Sequence, residues 1–219
     1  RSELTTSYKN LEISQNDLKK ARDALWGEME LAKQIQTALL PAQVGNSHYD
    51  YSAVMSPAAE VGGDYYDTIH LNDKDIWFNI GDVSGHGVTS GIIMMMAQTA
   101  IASLILSGKG TGPEQVLKFV NVILNENIRR LNEKKYMTLL LLKADEKGRI
   151  VFAGKHQDIL VYRSETGKVE VMETKGTWIG VIPEMTGPYA VLEQQFMLHK
   201  NDVLLLFTDG ITEARNVSG

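Results

Sequence analysis

The stretch that most restricts how this chain can fold is residues 76–96, IWFNIGDVSGHGVTSGIIMMM. Apolar residues lead to Gly81 as they do in a buried strand, and Asp82 stands at the strand's end. A turn punctuated by glycine follows, Ser84-Gly85-His86-Gly87, and from 92 to 106 the chain is apolar on nearly every face of a helix. This order sets a carboxylate on a rigid strand beside backbone that a ligand can approach closely, which suits a cation. A dinucleotide fits poorly. Gly85 and Gly87 match G-x-G-x-x-G, but Ser90 takes the third position and no acidic residue lies about twenty positions on. Asp82 would also repel a pyrophosphate. Taken alone, the segment equally describes a tight turn with a solvated aspartate.

The 219 residues leave room for one domain of ordinary size and an appendage. A formal net charge of −5 gives no basic footprint, so no nucleic acid partner is expected. The absence of cysteine excludes a disulfide framework and zinc–thiolate sites, and fits a cytoplasmic location. An upstream membrane-bound sensor is compatible with that location. The apolar run 91–108 contains Gln98, Thr99 and Ser103 and reads as a core helix rather than a membrane span. No signal-peptide pattern is present. A chain that starts at Arg1 and stops at Val217-Ser218-Gly219 is expected to be a piece of a longer polypeptide.

Residues 2–39 contain no proline and only Gly27, and Leu4, Leu11, Leu18, Leu25, Ala32 and Leu39 recur every seven residues. That spacing keeps one stripe on one side of a long helix. The companion positions Tyr8, Gln15, Arg22 and Met29 are mixed, so the seam is that of a signalling linker. Dimerisation through this helix is expected, because a polar helix of this length has little reason to persist unpaired. The alternative is an amphipathic helix lying on the domain. Pro41 ends it, dividing a helical linker, 1–41, from a globular domain, 42–219. In that domain strands are expected at 51–56, 137–143, 150–153, 159–163, 168–173, 189–198 and 203–207. Asp145-Glu146-Lys147-Gly148 and Glu165-Thr166-Gly167 form hairpin turns. A second helix is announced by Thr111-Gly112-Pro113-Glu114, with Leu117, Val120, Leu124, Ile128 and Leu131 on one face. Hairpin-linked strands with two inserted helices argue for an α+β fold, sheets packed face to face with helices outside.

Asp64, Asp82 and Asp209 share a local pattern: each sits beside glycine at the edge of an apolar strand. One such aspartate is a turn former. Three of them, brought to one end of a sheet pair, are a set of oxygen donors suited to a hard cation, Mn²⁺ or Mg²⁺.

The blocks Val61-Gly62-Gly63-Asp64-Tyr65-Tyr66-Asp67, Gly81-Asp82-Val83-Ser84-Gly85-His86-Gly87 and Phe207-Thr208-Asp209-Gly210-Ile211-Thr212-Glu213-Ala214 resemble the signature segments of SpoIIE/RsbU-type phosphatases. These form the bacterial branch of the metal-dependent PPM (type 2C) serine/threonine phosphatases. Leu31-Ala32-Lys33-Gln34-Ile35-Gln36-Thr37-Ala38-Leu39-Leu40-Pro41 is similar to the segment that enters that domain. Tyr136-Met137-Thr138 and Gly176-Thr177-Trp178-Ile179-Gly180 follow in the family's order. The resemblance runs from about residue 31 to the end. It implies an α-β-β-α sandwich of two antiparallel sheets flanked by helices, and a binuclear Mn²⁺/Mg²⁺ site. Its implied substrate is a phosphorylated regulatory protein, in this branch a STAS-type anti-sigma-factor antagonist within a partner-switching pathway. A sensor domain upstream on the same polypeptide would be the source of the signal.

By the same resemblance Asp82 bridges two metals, Asp209 binds one, and Asp64 holds the other directly or through water. The Val83 carbonyl is a further donor by position. His86 is either the proton donor to the leaving serine oxygen or a loop histidine packed beside the site. The chain departs from the family at Ala153-Gly154-Lys155-His156-Gln157-Asp158, where Ala-Gly-His precedes a proline-containing turn elsewhere. The closing segment with its paired aspartates would follow Gly219, leaving the domain C-terminally incomplete. A rival class is a catalytically weak, phosphatase-like adaptor that binds a phosphoprotein. A third is a coiled-coil scaffold that binds no metal.

Overall fold

The computed structural model describes residues 2–41, 48–56, 61–71 and 74–214. Pro57-Ala58-Ala59-Glu60, which approach the first glycine pair, and the domain boundary at residue 42 lie outside them. Helix α1, Ser2–Ala38, covers most of the segment expected to be helical, and residues 7–28 along it are exposed. Near its end it meets the globular part: just past the helix the Gln98 side chain donates to the Leu39 carbonyl at 2.6 Å.

Strands β1 (Asp64–His70) and β2 (Ile76–Val83) precede helices α2 (Val88–Leu106) and α3 (Pro113–Arg130). Then come β3 (Met137–Ala144), β4 (Arg149–Lys155), β5 (Ile159–Arg163), β6 (Lys168–Met172), β7 (Gln194–Met197), β8 (Val203–Leu205) and the short helix α4 (Asp209–Thr212). The strands form two antiparallel sheets, a five-stranded one ordered β1-β2-β3-β4-β7 and a three-stranded one ordered β6-β5-β8.

The larger sheet is the middle layer. Leu139 and Leu141 of β3 turn toward α2 and α3, and Leu140 and Leu142 toward the smaller sheet. All four are fully buried, which explains why β3 reads as a continuous apolar run rather than an alternation. Each stabilises the fold by about 1.5–3 kcal/mol. Among the described residues α2 is the one helix long and apolar enough to cross a membrane. Its Ile93, Met94, Ala97, Ile101 and Ile105 are instead packed into the core against β1, β2 and α3. Helix α3 begins at Pro113 with Glu114 in its first turn and ends with Arg129 and Arg130, a charge order that complements the helix dipole. The outer face of the smaller sheet, carrying Tyr162, Val169, Val171, Val203 and Leu205, is exposed, and among the described residues no helix covers it.

The expected strands depart most from those observed at three places. Residues 51–56 alternate in exposure but form no strand. Their leading aromatics are held by side chains instead: Tyr49 and Tyr51 meet the Phe78 ring edge-on at 6.1 and 5.5 Å, and Tyr49 Oη donates to the Asp145 carbonyl at 2.6 Å. The strand expected over 189–198 is confined to β7, because Pro188 sits in a 3₁₀ turn at Gly187–Tyr189 just ahead of it. Strand β8 stops at Leu205, and residues 206–208 lead irregularly into α4.

Candidate functional site

Register explains how residues far apart in sequence meet. Asp64 opens β1 and lies directly across the ladder from Asp82, near the end of β2, and Asp82 in turn pairs with Thr138 at the start of β3. Side chains alternate along a strand, so Asp82 shares its face with Ile80, which packs between the sheets. Asp209 comes from the other sheet, at the first position of α4 just beyond β8. The three carboxylates lie within electrostatic reach of one another at one end of the sheet pair.

Their mutual effect is electrostatic. Partial burial, and then the negative charges of Asp64 and Asp209, push the Asp82 carboxyl up to about 7. The Asp64 carboxyl is raised by burial and by Asp209, against a hydrogen bond from the Thr208 side chain. Oxygen-only donors that repel one another in this way are the chemistry a hard divalent cation relieves. Among the described residues no three His, Asp or Glu side chains gather around a single point as one cage. Hard divalent cations do not require such a cage, because they are commonly held by one or two carboxylates with water completing the shell.

The backbone of the site is held by close packing. A Cβ at Gly63 would lie against the Val83 carbonyl oxygen and 2.8 Å from Asp82 Oδ1, so only glycine allows this approach. The Val83 N–H donates to the Gly63 carbonyl at 3.1 Å. Beyond β2 the Ser84 N–H donates to the Tyr136 carbonyl at 2.8 Å, and Lys135 Nζ to the Ser84 carbonyl at 2.9 Å. Gly87, at φ 93°, turns the chain into α2 while its N–H donates to the Val61 carbonyl at 3.2 Å. His86 lies exposed in this loop, and among the described residues no hydrogen bond aims its ring.

Two residues given no role from sequence support the site. Gln36, buried at the end of α1, bonds both backbone groups of Gly62. His156, also buried, lies between Thr138 and the carbonyl of Phe207. The first has a sequence signal: Gln36 falls seven residues after Met29, on the second series of the heptad seam. The second had none beyond its place in the segment that departs from the family.

Residues 72–219 match the family described as Stage II sporulation protein E (SpoIIE). The chain belongs to the SpoIIE family. It is 30% identical over 196 residues to the phosphoserine phosphatase RsbU of Bacillus subtilis, covering 88% of this chain and 55% of that one. It is 26% identical over 216 residues to protein IcfG of Synechocystis, covering 86% of this chain and 33% of IcfG. The chain thus spans about half the length of RsbU and a third of IcfG. Among solved structures, the SiaA PP2C domain of Pseudomonas aeruginosa superposes with a TM-score of 0.70 at 23% identity, covering 87% of this chain and 74% of that one. The fold of this SpoIIE-family chain is accordingly that of the PP2C phosphatase domains. The blocks around Asp82 and Asp209 lie inside the family match, whereas Asp64 and Gln36 precede it.

Proposed function

We propose that this chain is a Mn²⁺- or Mg²⁺-dependent serine/threonine phosphatase domain that removes phosphate from a small regulatory phosphoprotein. The observation that carries this reading is the crowding of Asp64, Asp82 and Asp209 at one end of the sheet pair, with Asp82 raised by the other two. Asp82, in the field of both partners, would be shared by the ions; Asp209 would hold one and Asp64 the other, with the Val83 carbonyl as a further donor. Divalent cations bound there supply positive charge at the phosphoryl group and lower the pKa of water. The remaining work of the chain is positional. Register holds Asp64 opposite Asp82, the side chain of Gly63 is absent where the strands meet, and the exposed loop leaves His86 free to reach a serine oxygen as proton donor.

Membership of the family supports a STAS-type substrate, a partner-switching pathway and a cytoplasmic setting. RsbU carries the name of a phosphoserine phosphatase, and a solved neighbour from Mycobacterium tuberculosis joins RsbU and RsbW domains in one chain. The exposed leucines of α1 support homodimerisation, and the greater length of the relatives supports a sensor domain upstream. The test is hydrolysis of p-nitrophenyl phosphate and of a phosphoserine protein, with and without Mn²⁺, by this protein and by Asp82→Asn. Mn²⁺-dependent turnover that falls by about two orders of magnitude or more in the variant is expected. Turnover at the original rate in Asp82→Asn overturns the assignment. The alternative reading is a catalytically weak, phosphatase-like adaptor. It predicts phosphoprotein binding without turnover.

A further inference from the structure

We infer that His156 is a positioning residue that ties the segment carrying Asp209 to the end of the larger sheet. This rests on the carboxylate site proposed above and adds a role to a residue outside it. His156 follows β4 directly and is 8% exposed. Its Nε2 lies 3.1 Å from the Phe207 carbonyl oxygen and its Nδ1 2.9 Å from Thr138 Oγ1. A carbonyl only accepts, so the Nε2 position carries the proton and Nδ1 accepts from the Thr138 hydroxyl. Burial holds the ring neutral, consistent with one donor and one acceptor. Its backbone is fixed as well: the Thr174 hydroxyl donates to the His156 carbonyl at 2.6 Å, and the Thr174 N–H donates to Asp158 Oδ1 at 2.9 Å.

What this tether holds is irregular backbone. Residues 206–208 belong to no strand, and α4 is a single turn, so the local chain does little to set the place of Asp209. The segment is held from the larger sheet instead, where His156 binds the Phe207 carbonyl two residues ahead of Asp209. Thr138 sits directly across the ladder from Asp82, so the ring is held beside the end of β2. One imidazole thereby sets the spacing between a carboxylate of each sheet.

The experiment compares the wild type with His156→Phe, which fills the space without hydrogen bonds, and His156→Gln, which keeps one donor and one acceptor. Two readouts are taken: amide hydrogen exchange across 206–212 without metal, and calorimetric Mn²⁺ titration. In His156→Phe exchange over 206–212 should quicken while β2 and β3 stay protected, and Mn²⁺ affinity should fall about 10- to 100-fold, as removal of outer-shell partners does. His156→Gln should recover both. Unchanged exchange in His156→Phe, or a glutamine variant as impaired as phenylalanine, overturns the role. A wild type that binds no Mn²⁺ but shows the exchange pattern upholds the tether and defeats the phosphatase reading. Mn²⁺ binding that His156→Phe leaves intact defeats the tether alone.

Discussion

Gln36 grips Gly62 by both of its backbone groups. The side-chain nitrogen donates to the Gly62 carbonyl at 2.9 Å, and the side-chain oxygen accepts the Gly62 N–H at 3.3 Å. Gly62 lies two residues ahead of Asp64, so the long helix is bonded to the very turn that presents the first carboxylate. The bonds are buried, with Gln36 only 3% exposed. Gln36→Ala would leave both backbone groups unpaired, at a cost of about 1–3 kcal/mol. The expected outcome is a lower melting temperature and a larger fall in turnover than in melting, measured by thermal unfolding and phosphoserine hydrolysis. Turnover equal to wild type at a temperature where both are folded would separate the helix from the site.

Gly63→Ala tests the close approach of the two strands. The added methyl would press on the Val83 carbonyl and on Asp82 Oδ1. The backbone must shift, and a displacement near 1 Å at a reacting centre costs about 100-fold in rate. Steady-state kinetics should show that loss with secondary structure intact by circular dichroism.

The raised Asp82 carboxyl makes the metal-free protein sensitive to pH. Between its ordinary value of 3.8 and about 7 the folded chain keeps a proton that the unfolded chain has released. Raising pH through that window therefore removes stability, and the full cost is present above it. Asp82→Asn carries no such charge. In chelator, the variant should be more stable than wild type at neutral pH, by on the order of 1–2 kcal/mol once screening of this half-buried group is allowed for. The gap should close as pH approaches 4. Denaturant melts across that range read it directly, and a gap that widens on acidification would contradict the crowding of the three carboxylates.

Leu18→Asp with Leu25→Asp addresses the seam of α1, where both leucines are exposed. Charges at two successive seam positions should convert a dimer to monomers and alter turnover on a protein substrate. Light scattering of the wild type and the double variant settles the matter. A monomeric wild type would leave α1 without its proposed partner.

Much of this arrangement was legible because it rests on short-range rules. The run from residue 76 leads to Gly81-Asp82, and the strand it forms ends one residue later at Val83; Pro113 and Glu114 open the helix they announce. The three aspartates stood out by sharing one context. What stayed hidden depends on partners distant in sequence. Residues 51–56 alternate like a strand, yet their aromatics lie against Phe78 without joining a ladder. Gln36 reads as one more polar residue on a polar helix until Gly62 meets it. His156 gains a place only when residue 138 and residue 207 come to either side of its ring. The fold was written in patterns, and the supports of the site in pairings that no pattern contains.

The two sheets differ in how much covers them, and this gives the site an unequal mechanical footing. Asp64 and Asp82 ride on a sheet buried on both faces, while Asp209 hangs from a sheet whose outer side meets water at Tyr162, Val169, Val171, Val203 and Leu205. Cooperative units with little buried area open first, at a fraction of the global unfolding free energy. The smaller sheet should therefore breathe on its own, carrying Asp209 away and returning it while the rest stays closed. Catalytic competence would then be lost on mild heating well below the temperature at which the helices melt, and regained on cooling.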